Sequence, residues 1–248
     1  MKVVICGEFP EKAEENIFHS FPLSWEVHIV PPSGLASELS NADILIPEHV
    51  EINADLLSKA PKLKLVQTGA GYDNVDLKAC TEFGVQACNA AGVNAYAVAE
   101  HVMALILSWY KNIPYLDHFL KDRGEADQLD YTGAELYGKT IGIIGLGHVG
   151  RIVAEYCNAF HMTVLGYSHK LIEMCSVEQV DLDTLFRDSD IISLHVPLTD
   201  STRHLINAET FSKMKPDALL INTSRGGTVD EAALITALEN RSEERRVG

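Results

Sequence analysis

The chain is poor in positive charge, has no paired cysteines and lacks a long apolar run. Lysine and arginine number 20 against 35 aspartates and glutamates, a formal charge of −15. That balance argues against nucleic acid and anionic membrane as partners, since both need a basic face. An anionic substrate would require a local cation to overcome the overall field. Five cysteines (Cys6, Cys80, Cys88, Cys157 and Cys175) form no CxxC pair and are odd in number. Each therefore reads as a small buried apolar residue in a reduced, cytoplasmic setting, with no disulfide framework and no metal centre expected. The most apolar segment, Val98 to Tyr110, is interrupted by Glu100 and His101. It is too short to span a bilayer and reads as a core helix. Met1-Lys2 leads straight into a strand pattern, so no secretory leader is expected. Short repeats and low-complexity tracts are absent as well.

What is present is an alternation of short β-branched runs with helical patterns, which predicts parallel sheets covered by helices on both faces. Strands are expected at Lys2–Cys6, Trp25–Val30, Ala42–Ile46, Leu63–Gln67 and Val85–Cys88. Helical segments such as Glu11–Ser20, Gly34–Leu39 and Asn53–Lys59 separate them. After one long helix, Asn94 to Lys111, and a polar stretch, the pattern restarts. Strands are expected at Ile141–Ile144, Thr163–Tyr167, Ile191–Val196 and Ala218–Asn222. Helices are expected at Val149–Phe160, Leu182–Asp188, Ala208–Met214 and Glu231–Glu239. The fold class is thus α/β: two Rossmann-like domains with parallel sheets, joined by a long helix. The expected division is residues 1–94, flavodoxin-like and substrate-binding, and 95–240, the dinucleotide-binding domain. At 248 residues the chain is long enough for both.

The most informative run is Thr140-Ile141-Gly142-Ile143-Ile144-Gly145-Leu146-Gly147-His148-Val149-Gly150. It reads as a buried strand that turns tightly into a helix. Gly145 permits the turn, Gly147 lets backbone approach a pyrophosphate, and Gly150 allows close packing of helix on strand. The helix start then offers N–H groups and a positive dipole end to phosphates. The amides of His148 and Val149 belong to that cradle.

Three further segments stand in register with the glycine turn: Val66 to Asp76 around Gly69-Ala70-Gly71, then Ala97-Val98-Ala99-Glu100-His101, then His195-Val196-Pro197-Leu198-Thr199 followed by Asn222-Thr223-Ser224-Arg225-Gly226-Gly227. Together they resemble the D-isomer-specific 2-hydroxyacid dehydrogenase family from about Met1 to Asn240. The resemblance implies a cofactor in the cleft between the domains and a small 2-oxo or 2-hydroxy acid as substrate. A homodimer is also implied. It places Ala70, Gly71 and Asn94 against the substrate, although Asn94 could equally serve only as a helix N-cap. Arg225 follows a strand end. A guanidinium there can pair with a 2-oxo acid and polarise its carbonyl, where negative charge develops as hydride arrives. The resemblance further implies that Val196 and Pro197 form a cofactor wall, that Thr202 is a further cofactor contact, and that Thr223 and Ser224 lie beside it. His195 is expected to be structural rather than a general base. The substrate loop, Gln67 to Tyr72, has no basic residue, which favours glyoxylate, hydroxypyruvate or a similar small acid over a phosphorylated one.

The second half of the cofactor site departs from the usual NAD pattern. About 20 residues after the glycines such enzymes carry an acidic residue that binds the ribose hydroxyls. Here Ser168 stands there, followed by His169 and Lys170. No carboxylate repels a 2′-phosphate, so NADP is expected in preference to NAD. The family also completes its site with a glutamate and a proton-donating histidine downstream of the arginine. The positions expected for both lie beyond Asn240. The octapeptide Arg241 to Gly248 departs from the family pattern and reads as a non-native tail, so this chain by itself is expected to show negligible turnover. The competing reading is a dinucleotide-responsive corepressor of the same superfamily.

Overall fold

The computed structural model describes residues 1–48, 50–123 and 133–240. The octapeptide read as a tail lies outside them. The chain divides into two compact units, Met1–Val93 and Asn94–Gly248.

Unit one alternates strand and helix: β1 Lys2–Cys6, α1 Glu11–His19, β2 Glu26–Val30, α2 Leu35–Glu38, β3 Ile44–Pro47, α3 Ala54–Ser58, β4 Leu65–Thr68, α4 Leu77–Glu82 and β5 Gln86–Asn89. Its sheet runs β2-β1-β3-β4-β5, all parallel. This is the flavodoxin-like order. The interior strand β1 is apolar on both faces, as a strand of a parallel sheet covered on both sides is, and Val3, Val4, Ile5 and Cys6 are all buried.

Unit two opens with α5 Ala95–Tyr110 and α6 Ile113–Arg123. It then runs through β6 Thr140–Ile144, α7 His148–Ala159, β7 Thr163–Tyr167, β8 Glu178–Gln179, α8 Leu182–Asp188, β9 Ile191–Leu194, α9 Ala208–Lys213, β10 Leu219–Asn222 and α10 Glu231–Glu239. The sheet order is β10-β9-β6-β7-β8, again all parallel. Counted from β6, that is 5-4-1-2-3, the Rossmann order through its fifth strand. Helix α5 buries Ala99, Val102, Met103 and Ile106 in one core with Val153, Ala154 and Cys157 of α7. The Val98-to-Tyr110 run is thus a core helix. No described helix is long and apolar enough to cross a membrane.

The two units repeat one plan that no sequence periodicity discloses. In unit one, Asp43 accepts from the Lys2 amide at the start of β1 (2.9 Å) and from Lys64 Nζ just before β4 (2.8 Å). In unit two, Asp190 accepts from the Thr140 amide at the start of β6 (2.8 Å) and from Lys215 Nζ ahead of β10 (2.7 Å). An isolated parallel bridge, Ile52 to Val75, likewise matches Ile206 to Val229. Each bridge leads into a helix capped by an aspartate: Asp76 accepts from Ala79 N, and Asp230 from Ala233 N.

Several expected boundaries shift. Ala42 and Leu63 precede their strands, because their amides bond back to Leu39 and Ala60 carbonyls in turns (3.2 and 3.0 Å) rather than across the sheet. The strand expected at Ile191–Val196 ends at Leu194. One more bond, His195 N to Ile144 O at 2.8 Å, closes the ladder before Gly145 turns its partner strand away. Strand β8 is a two-residue polar edge with no periodicity to detect. Cys6, Cys80 and Cys157 are buried as expected, but Cys88 and Cys175 are exposed.

Candidate functional site

The first β–α turn of unit two lies where its strand order reverses, between β6 and β9. Gly145 has φ +103°, a left-handed conformation that strains any residue with a Cβ. A Cβ there would also lie 2.5 Å from the His195 carbonyl oxygen. At Gly150 a Cβ would overlap the Gly145 carbonyl. Both glycines are therefore required by the protein's own packing. Gly147 is different, because a Cβ there would meet nothing within 4 Å. Its bareness serves no internal contact and leaves the turn open to a ligand. Asn and Asp side chains cap α3, α4, α8, α9 and α10. Helix α7 begins on Gly147 with no side-chain cap, so its first amides, including those of His148, Val149 and Gly150, have no intrahelical acceptor. An open glycine before an uncapped helix start fits a pyrophosphate.

Strand β7 ends at Tyr167 and delivers half-buried Ser168 to the same edge. Ser168, His169 and Lys170 line a cavity of about 530 Å3 with Arg151, Leu171, Ile172 and Glu173. Sequence reasoning missed Arg151. The available signal was a basic residue directly after the last glycine of the fingerprint. The Arg151 Nε donates to the Leu146 carbonyl at 3.1 Å.

Beyond β9, His195 Nε2 and Ser193 Oγ share a hydrogen bond of 2.9 Å. Burial pushes the imidazole down to about 4. The ring is thus buried, held in its neutral form and bonded to its own strand. Val196 and Pro197 follow it in a loop rather than ending a strand. Thr202, expected as a direct contact, is buried. Its hydroxyl donates to the Pro197 carbonyl (2.6 Å) and accepts from Thr199 N (2.8 Å). It holds the loop, because its hydrogen-bonding capacity is already used there.

Beyond β10, Asn222 Oδ1 accepts from Ser224 N (3.0 Å) and Ser224 Oγ (2.7 Å). The Asn222 Nδ2 donates to the Arg225 carbonyl (2.9 Å), which also accepts from the fully buried Thr228 hydroxyl (2.7 Å). The backbone of Arg225 is thus fixed, while its side chain is exposed. The Thr223 hydroxyl is buried and has no hydrogen-bond partner among the described residues, a cost of order 1–3 kcal/mol unless something satisfies it.

In unit one, Gly69, Ala70 and Gly71 follow β4 directly. The Asn89 Nδ2 donates to the Ala70 carbonyl (2.9 Å) and pins that loop. Asn94 stands at the N-cap position of α5, but its side chain makes no capping bond. Among the described residues no group of three or more His, Cys, Asp or Glu side chains is placed to hold a metal.

Sheet order and glycine turn together define unit two as a Rossmann dinucleotide-binding unit. Residues 103–245 match the family model described as "D-isomer specific 2-hydroxyacid dehydrogenase, NAD binding domain". A glyoxylate reductase of Thermococcus litoralis is 38% identical, covering 96% of this chain and 76% of that protein. A D-3-phosphoglycerate dehydrogenase of Methanocaldococcus jannaschii is 41% identical over 83% of this chain, which matches 40% of that protein's length. The D-lactate dehydrogenase of Aquifex aeolicus, solved with NAD and lactic acid, superposes with a TM-score of 0.87 at 32% identity over 96% of this chain and 73% of that one. The chain belongs to the D-isomer-specific 2-hydroxyacid dehydrogenase family.

Proposed function

We propose that the protein interconverts a small 2-oxo acid, of the glyoxylate or hydroxypyruvate kind, and the D-2-hydroxy acid, with NADP(H) favoured over NAD(H). The reading is carried by one observation. The carboxyl ends of β6, β7 and β10 bring the open glycine turn, the Ser168 cavity and the fixed Arg225 to one edge of one sheet. When bound, the dinucleotide supplies or accepts hydride at its nicotinamide. The amides of His148, Val149 and Gly150 bind its pyrophosphate, and Ser168, His169 and Lys170 meet the adenosine ribose. Val196 and Pro197, held by Thr202, form a wall, and Thr223 and Ser224 flank it.

Arg225 pairs with the substrate and polarises its carbonyl, stabilising oxygen charge more in the transition state than before it. The backbone amides of Ala70 and Gly71 bind the substrate carboxylate, with Asn94 as a further polar contact. The absence of a basic side chain from Gln67 to Tyr72 supports a small, unphosphorylated acid.

The decisive experiment is steady-state reduction of glyoxylate and hydroxypyruvate by the full-length protein with each cofactor. Turnover with NADPH preferred is expected, and Ser168→Asp is expected to shift the preference strongly toward NADH. Arg225→Gln is expected to lower kcat/KM by roughly 100- to 1,000-fold, the usual effect of losing a transition-state donor. Turnover of neither acid would end the reading. An unchanged cofactor preference in Ser168→Asp would end its NADP part.

A further inference from the structure

We infer that Arg151 is the residue that discriminates a 2′-phosphorylated adenosine ribose from an unphosphorylated one; the inference rests on the NADP reading above. Three observations within unit two carry it. First, Arg151 lines the cavity formed with Ser168, His169 and Lys170, although it comes from the helix after the glycine turn and they follow the next strand. Second, its Nε is fastened to the Leu146 carbonyl (3.1 Å). This orients the planar guanidinium, so less rotamer freedom is left to lose on binding. Its terminal Nη groups have no acceptor among the described residues. Third, the permanent charges of the lining are Arg151 and Lys170 against the single carboxylate of Glu173, and His169 adds a further cation when protonated. An excess of cation persists locally in a chain whose overall formal charge is −15.

The chemistry fits a phosphate monoester better than a hydroxyl pair. Two ribose hydroxyls need acceptors, which neither Arg151 nor Lys170 can be, and Glu173 is the one carboxylate against two permanent cations in the lining. A phosphate offers acceptors to a guanidinium fork and an ammonium at once. Ser168 adds a hydroxyl donor of neutral charge. His169 and Lys170 sit on an exposed loop, whereas Arg151 is anchored to the glycine turn that fixes the pyrophosphate. The anchored cation is the one able to measure the distance from pyrophosphate to 2′-substituent.

The test is calorimetric binding of 2′,5′-ADP and 5′-AMP, which needs no turnover. The unaltered protein is expected to bind 2′,5′-ADP more tightly. Arg151→Gln is expected to lose about 10- to 100-fold of that affinity, the usual worth of a hydrogen bond to a charged group, with 5′-AMP binding unchanged. Arg151→Lys keeps the charge without the anchored fork and is expected to fall between them. If the unaltered protein prefers 5′-AMP, the NADP reading fails and the role of Arg151 goes with it. If it prefers 2′,5′-ADP and Arg151→Gln keeps the full preference, the NADP reading stands and Arg151 is not the discriminator. Equal loss of both ligands in Arg151→Gln and Arg151→Lys would make the residue structural and overturn the inference.

Discussion

Single residues at the glycine turn separate folding from binding. Gly145 and Gly150 are enforced by close backbone contacts, and Gly147 is not. Gly150→Ala is therefore expected to destabilise unit two by a few kcal/mol, as forced overpacking does. Gly147→Ala is expected to leave the melting temperature within about a degree or two, since it meets nothing, yet to weaken dinucleotide binding at least tenfold by filling the approach path. Thermal melts beside titrations of the two variants check this, and matching stability losses would refute the distinction. The glycine spacing made the turn legible in the sequence, because geometry tolerates few residues there. The engagement of Thr202 with Pro197 and the anchoring of Arg151 were not legible. Both depend on which carbonyl lies nearby after folding. His195 makes the same point for pH. With burial pushing its imidazole down to about 4, its ring resonances are expected to show no titration between pH 6 and 8, and a midpoint in that range by NMR would contradict its packed, neutral state.

At the scale of elements, the aspartates that open β3 and β9 do the stitching. Burial raises the Asp190 pKa, but hydrogen bonds from Lys215 and the Thr140 amide outweigh it, so the carboxyl lies below its ordinary value. For Asp43 the bond from Lys64 is the leading cause of the same lowering. A carboxylate with a depressed folded-state pKa adds stability that is present above its unfolded pKa, about 3.9. That stability is lost as pH falls through the folded value. Asp190→Asn is accordingly expected to cost about 1–3 kcal/mol at neutral pH, with the gap from the parent protein narrowing steadily below about pH 4. Urea melts at pH 7 and pH 3 measure both, and a gap that widens on acidification would be the wrong sign. Strands and their order could be anticipated because helices on both faces demand apolar runs. Their ends could not, since Ala42 and Leu63 are as apolar as the strands they precede and differ only in where their amides bond. The stitching itself spans Thr140 to Asp190, a separation no local pattern reports.

At the scale of the whole chain, the two sheets share a plan but present different chemistry at corresponding places. The loop after β4 carries Gly69-Ala70-Gly71, and the loop after β10 carries Thr223-Ser224-Arg225. One loop carries small residues with no charged side chain, the other a cation on a fixed backbone. Each unit closes its own apolar cluster, around Val4, Leu45 and Val66 in the first and around Ile141, Val153 and Ile191 in the second. The residues proposed to hold the dinucleotide, from Gly145 to Lys170, all belong to unit two. A ligand that binds only the folded form stabilises what it touches by RT ln(1 + [L]/Kd), about 2.7 kcal/mol at a hundredfold excess over Kd. Saturating 2′,5′-ADP is thus expected to slow amide exchange across β6, α7 and β7 while leaving β1 to β5 unchanged. Hydrogen-exchange mass spectrometry resolves the two units directly. Equal protection of both would mean that they unfold as one cooperative body, and the site could then no longer be assigned to unit two from its stability alone.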